Sequence, residues 1–513
     1  MKRYITLFCL LMAFVAVQAA DHTNEAVWEK VSESVDFHAD GSQTYRCTSR
    51  LRLLTHRSFN SMYGETFIIY NPQWQKVTIN ENYTQQADGT IIKAPANALN
   101  PSLPFSAVNA PYYNQLRELV VSHTGLEIGA TIILDYTIET KPGFTAAQEF
   151  LHRFNDPSPI DDYTLTVSAP GELTWHGGMI NGKEIAASKS ADGKWTWHTT
   201  QMPGVAPEVN VDQQALPYVY VSVSSDDSRA TAVAQLIEQA AASEDGNLAD
   251  IIKNDSDKAD ESWTNKHVNT CTVPLGVANE VRKPAEVATS AYGTVAEKAA
   301  LTTALLQQRG KKASIICAYD KSLPPGMASL SHIYVRTGDQ VINAENGAST
   351  ELAQLVDKMQ LWENGRSLTI EPQAHKVSRT VNIDAATDKK YCKSAGNYTV
   401  ATIPADGLVD NWHLILPVER TEAMSLPELV EERDSFIISL PTGASLQTKP
   451  YSKTVSNGYG TVTIALKDQG GKALLMRTIR VTKTHIPVSG YPDVRALLQL
   501  WQAPVYRTVA IKK

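Results

Sequence analysis

Cysteine is scarce in this 513-residue chain, with five in all. No two form a C-x-x-C pair, which argues against a thiol redox motif or a cysteine zinc knuckle. The twelve histidines are scattered and none sits in an H-E-x-x-H, so no metal site is expected. There is no P-loop and no G-x-G-x-x-G after a strand, so no nucleotide cofactor is expected either. "GMASLSH", from Gly326 to His332, lacks the G-x-S-x-G of a serine hydrolase elbow. An excess of base is missing too: 47 Lys and Arg stand against 54 Asp and Glu, a formal net charge of −7. A nucleic-acid partner would demand clustered positive charge. The short cluster "QRGKK", 308–312, reads as a solvated helix end. Repeats, low-complexity tracts and heptads are also lacking.

Long apolar runs are missing except at the start. "MKRYITLFCLLMAFVAVQAA" carries Lys2 and Arg3, an apolar run from Tyr4 to Val17, and small residues at Ala19 and Ala20. That is the pattern of a secretory signal peptide, too short for an ordinary membrane span. Residues 1–19 are therefore expected to be removed, leaving a secreted or periplasmic protein with no membrane span. Phe8 precedes Cys9 where a lipoprotein signal wants a small residue. Losing two basic charges takes −7 to −9. Four cysteines remain, Cys47, Cys271, Cys317 and Cys392. They read as buried small hydrophobes, with one disulfide open as an alternative in an oxidising compartment. The sequons at Asn82, Asn254 and Asn397 matter only where the source glycosylates them.

What is present is a β, α+β, β order. From 20 to 225 the chain alternates polar and apolar residues around turns such as "ADGS" and Asp88-Gly89, as hairpins of a β-sandwich do. From 226 to 368 it is helix-rich, then strand-rich. "SRATAVAQLIEQAAAS" has helical periodicity, "EDGNLADIIKNDSDKADES" is expected to be a helix with loops, and "STELAQLVDKM" a short helical run. From 369 to 513 strand-like runs return, with Gly470-Gly471 as a hairpin turn and "YPDVRALLQLWQAPVYRTVAIKK" as a last helix and strand. The fold class is multidomain α+β, with an N-terminal and a C-terminal β-sandwich around a central α+β domain.

The central segment "YGTVAEKAALTTALLQQRG", Tyr292 to Gly310, carries the functional signal. Thr294 and Glu297 form a capping box, so the helix is predicted to begin at Val295. Leu301, Ala304 and Leu305 share one apolar face, and Gly310 closes the end. Gly293, Glu297, Lys298, Ala299, Leu301, Ala304, Leu305, Leu306 and Gly310 fit G-x-C-x-[DE]-K-A-x-L-x-x-A-L-L-x-x-x-G. That pattern resembles the nucleophile helix of transglutaminase-like, papain-related enzymes. The resemblance puts the catalytic cysteine of the family at Val295. A helix N-terminus favours a thiolate, and valine offers no nucleophile. Downstream, "SHIYVRTGDQVINAENG" resembles the strand and hairpin that carry the other two triad members. The resemblance implies His332 as the histidine and Glu345 as the acidic member, with Asn343 as the runner-up.

The wider order resembles secreted bacterial proteins with a DUF3857-type N-terminal domain, a transglutaminase-like core and a DUF3858-type C-terminal domain. Active relatives would be expected to act on peptide or glutamine amides. Here Cys317 lies in an apolar strand, Cys271 has no helix start close after it, and Ser331 should point away from His332. The chain therefore reads as a pseudoenzyme: a binding or scaffold protein with vestigial His332 and Glu345, a peptide or protein ligand at the degenerate groove, and no cofactor. The loop Asp320 to Ser331 would border that groove. One alternative is a cysteine peptidase or protein-glutamine transamidase using Cys317 or Cys271. Another is a structural β module in a surface assembly.

Overall fold

A computed structural model describes residues 24–170, 176–182, 185–243, 248 and 263–513. The expected signal peptide, 1–19, lies outside them, as does the polar stretch 244–262 apart from Leu248. Two compact units form. Of the described residues, one unit holds those up to Met179 with 185–205 and 219–223, and the other holds 180–182, 206–218 and those from 224 onward.

The first unit is built on an eight-stranded sheet. Strands β1 (Ala26–Phe37) and β2 (Gln43–Leu53) make the hairpin around Gly41, at φ +84°. Alternation along both becomes alternate burial, as the two-residue strand period requires. Further out are β3 (Gln75–Gln85), β4 (Thr131–Thr140), β5 (Ile160–Ser168) and β6 (Trp195–Met202). β5 runs parallel to β1, from Trp28 opposite Ile160 to Asp36 opposite Ser168. A parallel neighbour so distant in sequence cannot be read from local turns. One inward position breaks the apolar pattern. Glu33 is buried and accepts hydrogen bonds from Tyr45 Oη at 2.6 Å and Tyr163 Oη at 2.7 Å.

In the second unit, α1 (Asp226–Ala241) precedes a group of short elements. These are β7 (Asn269–Thr270), α2 (Leu275–Ala278), α3 (Pro284–Ser290) and β8 (Tyr292–Gly293). They lead into α4 (Val295–Gln308). A six-stranded sheet follows, with β9 (Ser314–Asp320) between β10 (Leu330–Thr337) and β12 (Met359–Glu363), and β11 (Gln340–Asn343) beyond β10. The core joins Val233 and Ile237 of α1, Ala299 and Ala300 of α4, and Ile315 and Val335 of the sheet. The sequence gives α4 one apolar face. In the fold every residue from Ala296 to Leu306 is buried, because α1, α3 and β10 all pack on it.

The rest of this unit is β again. β13 (His375–Asp384) pairs in parallel with β16 (Val430–Ser439) in a five-stranded sheet. β14 (Cys392–Ala395) is the edge of a four-stranded sheet, beside β15 (Tyr398–Thr402). β17 (Gly460–Asp468) and β18 (Lys472–Val481) turn at Gly470-Gly471, and α5 (Tyr491–Gln502) precedes β19 (Thr508–Lys512). Among the described residues no helix is long and apolar enough to cross a membrane.

Candidate functional site

The start of α4 is held by buried charge. Thr294 Oγ1 accepts from the Glu297 amide at 3.2 Å, and a Glu297 carboxylate oxygen accepts from the Thr294 amide at 2.8 Å. Glu297 is fully buried, and such a carboxylate must be paired. Arg282 supplies the pairing, donating from Nε at 2.6 Å and from a terminal nitrogen at 2.9 Å. The guanidinium lies 4.5 Å over the Tyr292 ring and donates to the Tyr292 carbonyl at 2.8 Å. Gly293 has a packing reason of its own. A Cβ there would sit 2.9 Å from a Val287 methyl and 3.3 Å from the Glu297 carboxylate.

β7 and β8 pair in parallel, Thr270 opposite Gly293, and the Cys271 amide donates to the Gly293 carbonyl at 2.9 Å. That bridge brings a cysteine beside the start of α4. Lys298, one turn along, is almost entirely buried. Its ammonium donates to Thr270 Oγ1 at 2.5 Å and to the Glu345 carbonyl at 2.8 Å. Burial pushes the Lys298 pKa down, while Glu345 and Cys271 act against that.

Above these elements lies a cavity of about 370 Å³. Cys271, Val273, Pro274 and Leu275 form one wall, and Val295 lines it from the helix. Met327 lines it from the turn before β10, and Leu330, Ser331 and His332 line it from β10 itself. Asn343 and Glu345 complete the rim. The loop is anchored from behind, Arg229 Nε donating to the Pro325 carbonyl at 3.1 Å and Ser329 Oγ to the Pro324 carbonyl at 2.7 Å. Gly276 leaves room for it, since a Cβ there would lie 2.9 Å from Met327 Cγ.

Val295, His332, Glu345 and Asn343 thus share one cavity. No hydrogen bond joins His332 to either rim residue. Asn343 Oδ1 accepts from the Glu345 amide at 2.8 Å, and the Glu345 side chain is exposed. His332 Nδ1 is buried with no partner, an arrangement folded proteins usually avoid. Burial lowers the His332 pKa, and Glu345 acts against that. Ser331 Oγ donates to the Ala318 carbonyl at 3.0 Å.

Cys47, Cys271, Cys317 and Cys392 are free thiols. Cys317 lies in the core of β9 and its pKa is pushed up by burial to about 12. Cys271 differs from the sequence expectation, because α2 begins four residues after it and its side chain lines the cavity. It is nonetheless buried, and burial raises its pKa. Sequence reasoning missed Arg282 and Lys298 as a tie between segments, while Met327 lies in the loop expected to border the groove. Only the acid at the third helical position hinted that a buried cation would be needed.

Residues 39–206 match the DUF3857 family and residues 397–511 the DUF3858 family, each described as a domain of unknown function with a solved structure. No curated protein matches the chain. A crystal structure described as that of "a putative protease" from Parabacteroides distasonis is 29% identical, covers 95% of this chain and 99% of its own, and superposes with a TM-score of 0.79. An M1 zinc metallopeptidase from Deinococcus radiodurans, 10% identical, matches over 39% of this chain and 42% of its own with a TM-score of 0.19. The chain therefore carries a DUF3857 and a DUF3858 domain, and nearly all of it shares the fold of the Parabacteroides protein.

Proposed function

We propose that the protein is a catalytically degenerate, transglutaminase-like binding protein of the cell envelope, secreted or periplasmic. Its central cavity holds a peptide or protein ligand without turning it over. One observation carries this reading. The helix N-terminus that faces the cavity with His332 begins with Val295, while the imidazole has a buried nitrogen with nothing to bond. The two thiols of the central region are held protonated by burial, and a protonated thiol is a poor nucleophile. The walls are mainly aliphatic with a few convergent polar groups, which suits a peptide side chain and one backbone amide. The likeness to the Parabacteroides protein supports a peptide-handling ancestry.

The test is to restore what is missing. In Val295→Cys the new thiol is expected to have a pKa below the ~8.5 of a free thiol, since the helix end favours the thiolate and the His332 imidazole can take the thiol proton. Iodoacetamide alkylation followed against pH reads that value, and adding His332→Ala should raise it. Wild-type protein should bind peptides and release them uncleaved. Amide turnover by wild-type protein that disappears in His332→Ala would overturn the proposal.

A second reading has its own observation, Cys271 in the cavity wall beside the helix start. If it were the nucleophile, an active-site thiol probe would modify it rapidly in the folded protein. The degenerate reading expects labelling there only on unfolding.

A further inference from the structure

A second concavity, in the C-terminal β region, has a chemistry of its own. It encloses about 790 Å³ between the segment after β13, the edge strand β14 and the loop after β16. Lys389, Lys393 and Lys513 line it, and Asp388 is the one acidic side chain among the lining residues. Asp384 stands beside the cleft, accepting from the lining Ala386 amide at 2.8 Å, so side-chain ammonium groups outnumber side-chain carboxylates there by three to two on a chain whose net charge is −7. Lys513 is held in place, its ammonium donating to Ser394 Oγ and to the Gly396 carbonyl at 3.4 Å. Asp388 is partly engaged, accepting from the Lys390 amide at 3.2 Å. Among the described residues neither Lys389 nor Lys393 makes an ion pair, and both are exposed. Like charges gathered in one cleft repel each other, at a cost in stability that an anionic ligand would offset.

The hydroxyls of Ser394, Thr399 and Thr442 line the same space, and Thr399 is nearly fully buried. Ammonium and hydroxyl groups together outnumber the acceptor sites of one carboxylate. A phosphate presents more oxygens, and lysine serves it as a point charge. The volume exceeds that of a bare phosphate and falls within the ~300–1,000 Å³ range of small-ligand pockets. We infer that this cleft binds a phosphate ester, with Lys389 and Lys393 on the phosphoryl oxygens and the remaining space taken by the esterified group. The inference is independent of what the central cavity does.

Two sources offer that chemistry, a soluble sugar phosphate and a phospholipid headgroup. The full mature protein is titrated with inorganic phosphate, with glucose 1-phosphate, and with vesicles of phosphatidylglycerol or phosphatidylcholine. Wild-type protein should show saturable binding to inorganic phosphate and tighter binding to one of the esters. Lys389→Gln with Lys393→Gln should weaken it about tenfold or more, the loss of two charge-assisted contacts. Lys467→Gln with Lys472→Gln, on exposed positions of the β17–β18 hairpin, removes the same charge elsewhere and should leave binding unchanged. Tighter binding to glucose 1-phosphate assigns the soluble source, and tighter binding to phosphatidylglycerol vesicles than to phosphatidylcholine vesicles assigns the headgroup. Absence of saturable binding, or equal loss in the two double variants, overturns the inference.

Discussion

The pair Arg282–Glu297 holds the helix start that lies under the cavity. Glu297 is desolvated completely, and its two oxygens meet Arg282 and the Thr294 amide together. Removing one partner strands the other's charge, a loss of about 3–5 kcal/mol in comparable buried pairs. Glu297→Ala should therefore lower unfolding free energy by about that much in urea titration. Glu297→Leu combined with Arg282→Met should cost less than either change alone, because no charge is left uncompensated. If the double variant falls by the sum of the two, the pairing described here is not what stabilises the helix start. His332 poses the reverse problem, a buried acceptor or donor with no counterpart. The sequence could place His332 near a helix start by family resemblance. It could not say that its nitrogen would be left idle, because that depends on what three other segments fail to offer.

Among elements, α4 was the most legible. Thr294 and Glu297 fix its start and Gly310 its end, and both limits follow from backbone chemistry that reads locally. Gly310 adopts φ +71°, and the Lys311 amide reaches back to the Leu306 carbonyl at 3.0 Å. A side chain there is strained in the left-handed region, so Gly310→Ala should lower unfolding free energy by about 1 kcal/mol. Thermal unfolding without loss would mean that the helix end relaxes freely. The hairpins at Gly41, Gly89 and Gly470 were legible for the same reason, each turn being a local matter of positive φ. Long-range pairings were not. The parallel match of β1 with β5, and the bridge that brings Cys271 to Gly293, join segments with no common local signal. Burial of α4 on every side was hidden too, because Thr302 and Thr303 look like solvent-facing residues until Thr302 Oγ1 meets Thr264 Oγ1 at 2.9 Å.

Within the second unit, the segment 206–218 is joined to the C-terminal β region by Glu208, which pairs with Arg420 at 3.2 Å, and by Asp212, whose partner is a histidine. His485 Nδ1 meets Asp212 Oδ2 at 2.7 Å, and the Thr484 hydroxyl meets Asp357. Lys358 also bears on the site, donating to Ser425 Oγ at 2.8 Å. The Asp212 hydrogen bond raises the His485 pKa above its ordinary 6.5, burial acts against it, and Asp357 adds to the rise while Lys358 subtracts. A raised folded-state value means the contribution is whole below pH 6.5 and fades as pH climbs through the folded pKa. Stability measured in urea from pH 5 to 9 should decline across that window, and His485→Gln should flatten the decline. A decline unchanged in the variant would put its origin elsewhere.

The loop over the central cavity is already roped down before anything arrives. Arg229 holds Pro325, Tyr218 Oη donates to the Ser322 carbonyl, and Ser329 braces the turn. Occupants of the cavity would meet a finished mouth and spend little entropy on closing it. Competing occupants should then differ chiefly in how long they stay and hardly in how fast they arrive.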